Sequence, residues 1–448
     1  MQYIKQFIAK NERTSLAIKN VFYSFFLKGI TILISFLLVP LTIDYLNVND
    51  YGIWLTISSI LTWINFFDIG LANGLRNKLT EAIAHNDIKL AKSYTSTTFA
   101  LLFIIMTVFF IIFMITNYFL QWDKILNLGI EKRELIGNMV LIVFAFFCLQ
   151  FVFKTVGVIL ISVQKPAYND LILVFGNIIS LLIIFILTKT VPASLPYVAY
   201  VFAASPAIVY IIAYFFIFFG KYKYLRPSYS FVDFKYTSSL INLGVKFFII
   251  QMAVCIVIYT STNILLVQLF GSKSVTVYNV AFKYFNSISM AYMIILTPFW
   301  SAATDAYAKN DHAWIRKSIK KLIYIFLLTI LLTLVMIVFS EQFYKLWVGD
   351  KVKIPLSLSI MVAVYTSLFN WSNTFIYFIN GIGKIQLQLY ITVGVAIVYI
   401  PCAIFLGHRY GISGVVFTTI ISLVPTSIFM PIQCKKIFSN KASGIWIK

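Results

Sequence analysis

"SYTSTTFALLFIIMTVFFIIFMITNYFLQW", residues 93–122, runs for thirty residues without a charge. A helix rises about 1.5 Å per residue, so about 20 apolar residues cross the roughly 30 Å hydrocarbon core of a bilayer. The apolar residues of this run fall on every face. The alternation of apolar and polar residues that a membrane-spanning strand needs is missing. The stretch therefore reads as a transmembrane helix.

Ten further charge-free runs of 17 or more residues repeat the signal: 51–67, 135–153, 171–188, 190–220, 247–272, 284–304, 322–340, 354–383, 385–408 and 410–434. Another span, 20–43, holds only Lys28. Twelve spans is the natural count, and the expected class is an all-α membrane protein. The composition agrees. The 448 residues are 60% hydrophobic and 11% charged, against about 25% charged in a soluble domain. Residues 1–19 are polar and basic, and 20–43 is too long for a signal-peptide core, so the first span is expected to be retained. The amino-terminal segment either lies along the inner membrane surface or serves as a basic flank.

Lys and Arg divide unevenly between the two sides. Loops on the amino-terminal side carry 25, those on the other side 9, and Lys28 and Lys283 lie within spans. The positive-inside bias places both termini in the cytoplasm. The net charge of +21 reflects this bias and anionic lipid. Nucleic-acid binding is not expected, since no soluble basic domain exists to perform it. Cys148, Cys255, Cys402 and Cys434 have no paired spacing and sit in or at the ends of apolar runs, so they read as small core residues. His85, His312 and His408 are far apart. No metal site and no cofactor are expected.

The chain repeats itself. "TEAIAHND" at 80–87 returns as "TDAYAKND" at 304–311, with five of eight positions identical and an offset of 224, half the length. "YGIW" (51–54) faces "YNVA" (278–281), and "SVQKP" (162–166) faces "GIGKI" (381–385). Six spans per half return each half to its starting side. The expected architecture is two six-helix bundles, 1–222 and 223–448, joined through the basic linker "KYKYLRPSYSFVDFKYTSS" (221–239) and related as a parallel pseudo-two-fold repeat. The repeated motif itself reads as structural: Asn86-Asp87 and Asn310-Asp311 suit helix capping.

The neighbouring "DIGLANGLRNK" (68–78) is not repeated. At the same offset Asp68 faces Tyr292, Arg76 faces Trp300 and Lys78 faces Ala302. Symmetric scaffolding does not need these charges, which makes them candidates for function. Helical spacing puts Asn65, Asp68 and Arg76 within an arc of about 80°. Arg76 and Lys78 fall at the cytoplasmic mouth. Arg76 suits a phosphate through its fixed fork of donors. Asp68 either pairs with a nearby cation or binds a coupling ion. A lysine inside a span either snorkels or faces a cavity, so Lys28 and Lys283 join the list.

"DIGLANGLRNKL" (68–79) after the second span, with "DYGIW" (50–54) opening it, resembles the polysaccharide transport family. More narrowly, it is similar to the repeat-unit flippases of bacterial O-antigen and capsule assembly, within the multidrug/oligosaccharidyl-lipid/polysaccharide exporter superfamily. The resemblance spans the chain in length and span count. It implies a V-shaped, MATE-like fold with a cationic cavity. It implies a substrate, an undecaprenyl-pyrophosphate-linked oligosaccharide moved from the inner to the outer leaflet of the cytoplasmic membrane. It further implies a proton or sodium gradient as energy source, and a polysaccharide polymerase or ligase is expected nearby. Asp68, Arg76 and Lys78 carry over by motif position; Lys28 and Lys283 rest on burial alone.

Three rivals stand beside this reading. A drug/cation antiporter of the same superfamily would want carboxylates in its cavity, and Asp68 is the one acid well inside a span. A polymerase or acyltransferase would want a long external loop or a His/acid pair placed for proton transfer. The third is a lipid scramblase.

Overall fold

A computed structural model of the chain describes residues 2–61, 71–163, 165–238, 261–308 and 310–447. Every regular element among them is helical. In chain order these are α1 (Gln2–Leu46), α2 (Val48–Leu61), α3 (Leu71–Ala84), α4 (Ile88–Phe119), α5 (Trp122–Ile125), α6 (Arg133–Phe153), α7 (Thr155–Ser162), α8 (Pro166–Thr190) and α9 (Leu195–Phe219). After the linker come α10 (Ser261–Phe270), α11 (Ser272–Ala308), α12 (His312–Val338), α13 (Ser340–Val348), α14 (Leu356–Ile382), α15 (Gln386–Tyr410) and α16 (Ile412–Phe438).

Nine helical segments among the described residues are long and apolar enough to cross a membrane. The pair Ser340–Lys351 and Leu356–Ile382, bent by 120° at its break, is either a broken span or a re-entrant loop and brings the number to ten at most. The two remaining expected spans, 51–67 and 247–272, run into residues outside the described set. The chain is thus a multi-pass, all-helical membrane protein. Several helices outrun the hydrocarbon. α4 has 32 residues and α11 has 37, about 48 and 56 Å long. The amino-terminal segment continues directly into the first span as part of α1.

The repeated motif forms the same turn twice. After α3, Asn86 takes φ 59°. The Asp87 N–H donates to the Ala82 carbonyl at 3.0 Å, and the Asn86 N–H to Ile83 at 3.0 Å. After α11, Asn310 takes φ 56°, with Asp311 donating to Ala306 at 2.8 Å and Asn310 to Tyr307 at 3.0 Å. This is a Schellman ending, in which asparagine tolerates the left-handed conformation. The following aspartate opens the next helix. Asp87 accepts from the Leu90 N–H and Asp311 from the Trp314 N–H, each at 2.9 Å. Two residues therefore close one helix and start another, and the capping role expected from sequence holds in both copies.

The chain divides into two compact units. The first comprises Met1–Leu46, Leu61–Lys124 and Leu128–Phe248; the second comprises Asn47–Ile60, Ile125–Asn127 and Ile249–Lys448. In the first, α1 lies along α8. Leu27, Ile30, Ile34, Leu38 and Leu41 meet Val174, Ile178, Leu181 and Ile184. Lipid is as apolar as these side chains, so shape fit rather than escape from water holds the pair together. The linker also belongs to this unit. Its short 3-10 turns, Lys223–Leu225, Tyr229–Phe231 and Phe234–Tyr236, dock on the polar start of α4. The Ser228 N–H donates to Ser96 Oγ at 3.0 Å, and the Asp233 N–H to Thr97 Oγ1 at 3.0 Å. Tyr236 packs edge-on against Tyr94 with ring centres 5.0 Å apart. The Lys92 ammonium sits 4.3 Å over the Phe231 ring.

In the second unit, α11 and α14 run side by side, paired at Phe282–Tyr365 and at Phe299–Phe378. Between these pairs the Tyr292 hydroxyl bonds Thr374 Oγ1 at 2.7 Å. α16 covers α14, joined by Ser372 and Ser427 at 2.9 Å. α2 is seated here too. Thr276 Oγ1 donates to the Val48 carbonyl at 2.7 Å, and a Cβ on Gly52 would run into the Ser272 carbonyl oxygen. Glycine at 52 is what lets the two backbones approach.

Candidate substrate-binding residues

α3 buries Leu71, Leu75, Leu79 and Ala82, a face of three- and four-residue spacing, and packs on α4 and α7. Thr80 Oγ1 donates to the Arg76 carbonyl at 2.7 Å and lies 3.3 Å from the Ser162 carbonyl, tying α3 to the end of α7. This anchoring leaves Arg76 exposed. No hydrogen bond or ion pair holds its guanidinium among the described residues, so all five donors stay available. Lys78 differs. Its ammonium is 3.0 Å from Glu81, one turn on. The hydrogen bond and charge of Glu81 raise the lysine above its ordinary range. The two cations that sequence grouped are thus one open and one occupied.

Lys28 is half-buried on α1. The same helix exposes Phe26 (62%), Leu33 (66%) and Leu37 (58%), which mark its lipid face. Lys28 lies about 180° around the helix from Leu37 and about 140° from Leu33. The lysine therefore projects away from Phe26, Leu33 and Leu37, with the exposed Phe25 about 60° to one side of it.

Lys283 is half-buried on α11. Counting turns, it shares an arc of about 100° with Asn279, Asn286, Ser287 and Met290. Asn279, Asn286 and Ser287 are half-buried like Lys283, and Met290 is exposed. α12 shows what a lipid-facing stripe looks like here: Leu327, Leu328, Leu331, Leu334, Val335 and Val338, all exposed and all apolar. Uncompensated amides and ammonium groups in hydrocarbon are costly, so this stripe is not built to face lipid. The candidate span on α11 is Ser272–Thr297, and Lys283, Asn286 and Ser287 sit within about one turn of its middle. Asn279 Nδ2 donates to Asn263 Oδ1 on α10 and to the Val275 carbonyl, both at 2.9 Å. Asn279, Asn286 and Ser287 escaped the reading of the sequence because neutral groups do not interrupt a charge-free run. Their four- and three-residue spacing around Lys283 was the available signal.

Asp68 and Asn65 lie outside the described residues. Arg76 and Lys28 belong to the first unit, and Lys283 to the second.

With this geometry in hand, comparison with known proteins is decisive at the level of family. The model of the family described as "Polysaccharide biosynthesis protein" matches residues 17–302. The chain belongs to that family. Arg76, Lys28, Lys283 and the α11 stripe all fall inside the matched region. The MatE family model matches residues 248–405. Among relatives of the polysaccharide biosynthesis chain is a putative O-antigen export protein of Yersinia pseudotuberculosis, 23% identical over 419 residues, covering 90% of this chain and 92% of the relative. A putative O-antigen transporter of Salmonella typhi is 24% identical over 407 residues, covering 86% and 88%. The inward-facing structure of a multidrug-resistance MATE family transporter of the MOP superfamily matches with a TM-score of 0.73 at 15% identity, covering 90% of this chain and 96% of that one. An outward-facing MATE structure of the same superfamily gives 0.69 at 15% identity, covering 96% of each. The family chain therefore has the MATE transporter fold, as the sequence led one to expect.

Proposed function

We propose that the protein is a flippase for an undecaprenyl-pyrophosphate-linked oligosaccharide, an O-antigen or capsule repeat unit, moving it from the inner to the outer leaflet of a bacterial cytoplasmic membrane. The observation that carries this reading is the polar, lysine-bearing stripe at the middle of α11, in a chain whose relatives are named for O-antigen export. A diphosphate with sugars attached cannot enter hydrocarbon unaided. Each unit offers cations to compensate its charge: Arg76 and Lys28 in the first, Lys283 in the second. The polyprenyl tail stays in lipid throughout. Access alternates between the two sides, and the head group must bind both states comparably, or the cycle stalls in one of them. A proton or sodium gradient supplies the direction, with Asp68 and Asn65 as the residues proposed to sense it. The halves 1–222 and 223–448 act as the two rocking bundles, both termini are cytoplasmic, and a polymerase or ligase receives the product. The protein performs transport without bond chemistry.

The MATE fold keeps cationic drug export as the second reading. The two separate on charge: a drug carrier needs carboxylates where this chain offers Lys28 and Lys283. The test is leaflet access. In a host lacking the protein, external labelling of the lipid-linked repeat unit should vanish while the unit accumulates inside. Wild type should restore labelling; Arg76→Ala and Lys283→Ala should not. Unchanged labelling in the deletion host would refute the proposal and make drug efflux the next assay.

A further inference from the structure

Cations and N–H donors suffice for a phosphate, yet the polar stripe of α11 carries one lysine among neutral groups that also accept. Resting on the flippase reading, we infer that Asn286 and Ser287, with Asn279 one turn outward, form a glycan-recognition surface that hydrogen-bonds sugar hydroxyls, while Lys283 beside them takes the pyrophosphate. Three observations carry this. First, Asn279, Asn286 and Ser287 are half-buried within one arc of a membrane-spanning helix, and of the three, Asn279 is the one bonded to a neighbouring helix among the described residues. Second, their bonding capacity is open on the exposed side. No hydrogen bond engages the Asn286 amide among the described residues. Ser287 spends its proton on the Tyr284 carbonyl at 2.6 Å, which leaves its oxygen free to accept. Asn279 spends both amide protons on Asn263 and Val275, which leaves its Oδ1 to accept. Third, the mixture of donors and acceptors fits the ligand. An amide offers two donors and one acceptor oxygen, and a hydroxyl offers both roles. Sugar hydroxyls need both, a phosphate needs donors only, and a cationic drug needs acceptors, a carboxylate above all.

The arrangement also separates the roles by position. Lys283 and Asn286 are three residues apart, and Asn279 lies one turn to the other side of the lysine. A pyrophosphate on Lys283 therefore has amides within reach along the helix in both directions, where the first sugars of a repeat unit would lie.

The experiment compares two probes on the purified full-length protein: undecaprenyl pyrophosphate bearing the complete repeat unit, and sugar-free undecaprenyl pyrophosphate. Wild type should bind the sugar-bearing lipid at least about tenfold more tightly, since two or three net hydrogen bonds suffice for that factor. The double variant Asn286→Leu/Ser287→Ala should erase the difference and leave affinity for the sugar-free lipid unchanged, which also shows that the variant is folded. Asn286→Gln should keep most of the preference. Lys283→Ala should weaken both probes together. A preference that survives the double variant, or equal binding of both probes by wild type, would overturn the glycan surface while leaving the flippase reading intact. Failure of wild type to bind either probe would overturn the flippase reading and this inference with it.

Discussion

Asn86-Asp87 and Asn310-Asp311 show how much two residues can do when their backbone requirements match. Asparagine supplies the left-handed turn, and aspartate supplies the cap. Asp87→Ala should cost about 1 kcal/mol of stability, read as a lower midpoint of thermal unfolding in detergent. The same change at Asp311 should cost a similar amount, and the two should add, because the caps share no partner. Asn86→Gly should be nearly neutral, whereas Asn86→Val should be worse than Asp87→Ala, since a β-branched residue resists positive φ. The exposed cations separate in the same way. Lys78 and Glu81 form an exposed pair worth at most about 1 kcal/mol, so Lys78→Ala should leave flipping within about twofold of wild type. Arg76→Ala should reduce flipping by tenfold or more, with Arg76→Lys between them, because only the guanidinium offers a forked contact to phosphate. The caps were legible from sequence because Asn-Asp recurs at the half-chain offset. The difference between Arg76 and Lys78 was not, because it depends on where a glutamate one turn away directs its carboxylate.

At the scale of helices and linkers, the membrane itself made the spans legible. Lipid excludes charge, so each charge-free run announces a crossing. Helix ends obey other rules. α4 begins at Ile88, five residues before its charge-free run, because a cap sets its start. The run 135–153 stops at Lys154, yet α7 carries the helical path on to Ser162. The linker was legible as a boundary but not as a docked strap, since its partners Ser96 and Thr97 sit at the start of what reads as a span. Thr97→Val should release it, and limited proteolysis at Arg226 or Lys235 should then run several-fold faster while α4 stays protected. Asp233 in this strap is held below the usual carboxylate range by the hydrogen bond from Lys235. A lowered folded pKa stabilises above the unfolded value of about 3.9 and loses that contribution only as pH falls through the folded one. Proteolysis of the linker should therefore be flat from pH 8 to pH 5.

For the molecule as a whole, the halves in sequence and the units in space differ: the linker through Phe248 joins the first unit, and α2 joins the second. α2 is encoded in the first half, yet Tyr51, Ile53, Thr56 and Ile57 are buried within the second unit, and Gly52 is fitted to the backbone at Ser272. The repeated capping turn and most of the spans among the described residues could be read from one dimension. This exchange could not, because hydropathy gives no information about which neighbour a span chooses. Its consequence concerns how such a chain could have arisen and how it is made. As the ribosome finishes the first half, α2 has no seat and must wait in the membrane, with its glycine groove open, until α11 is inserted. A fragment ending near residue 222 would carry an orphan helix that any membrane-embedded protease could recognise. Co-expression with the remaining half would supply the seat and rescue both fragments from degradation. An ancestral single-half protein would have met the same need by pairing with a second copy of itself.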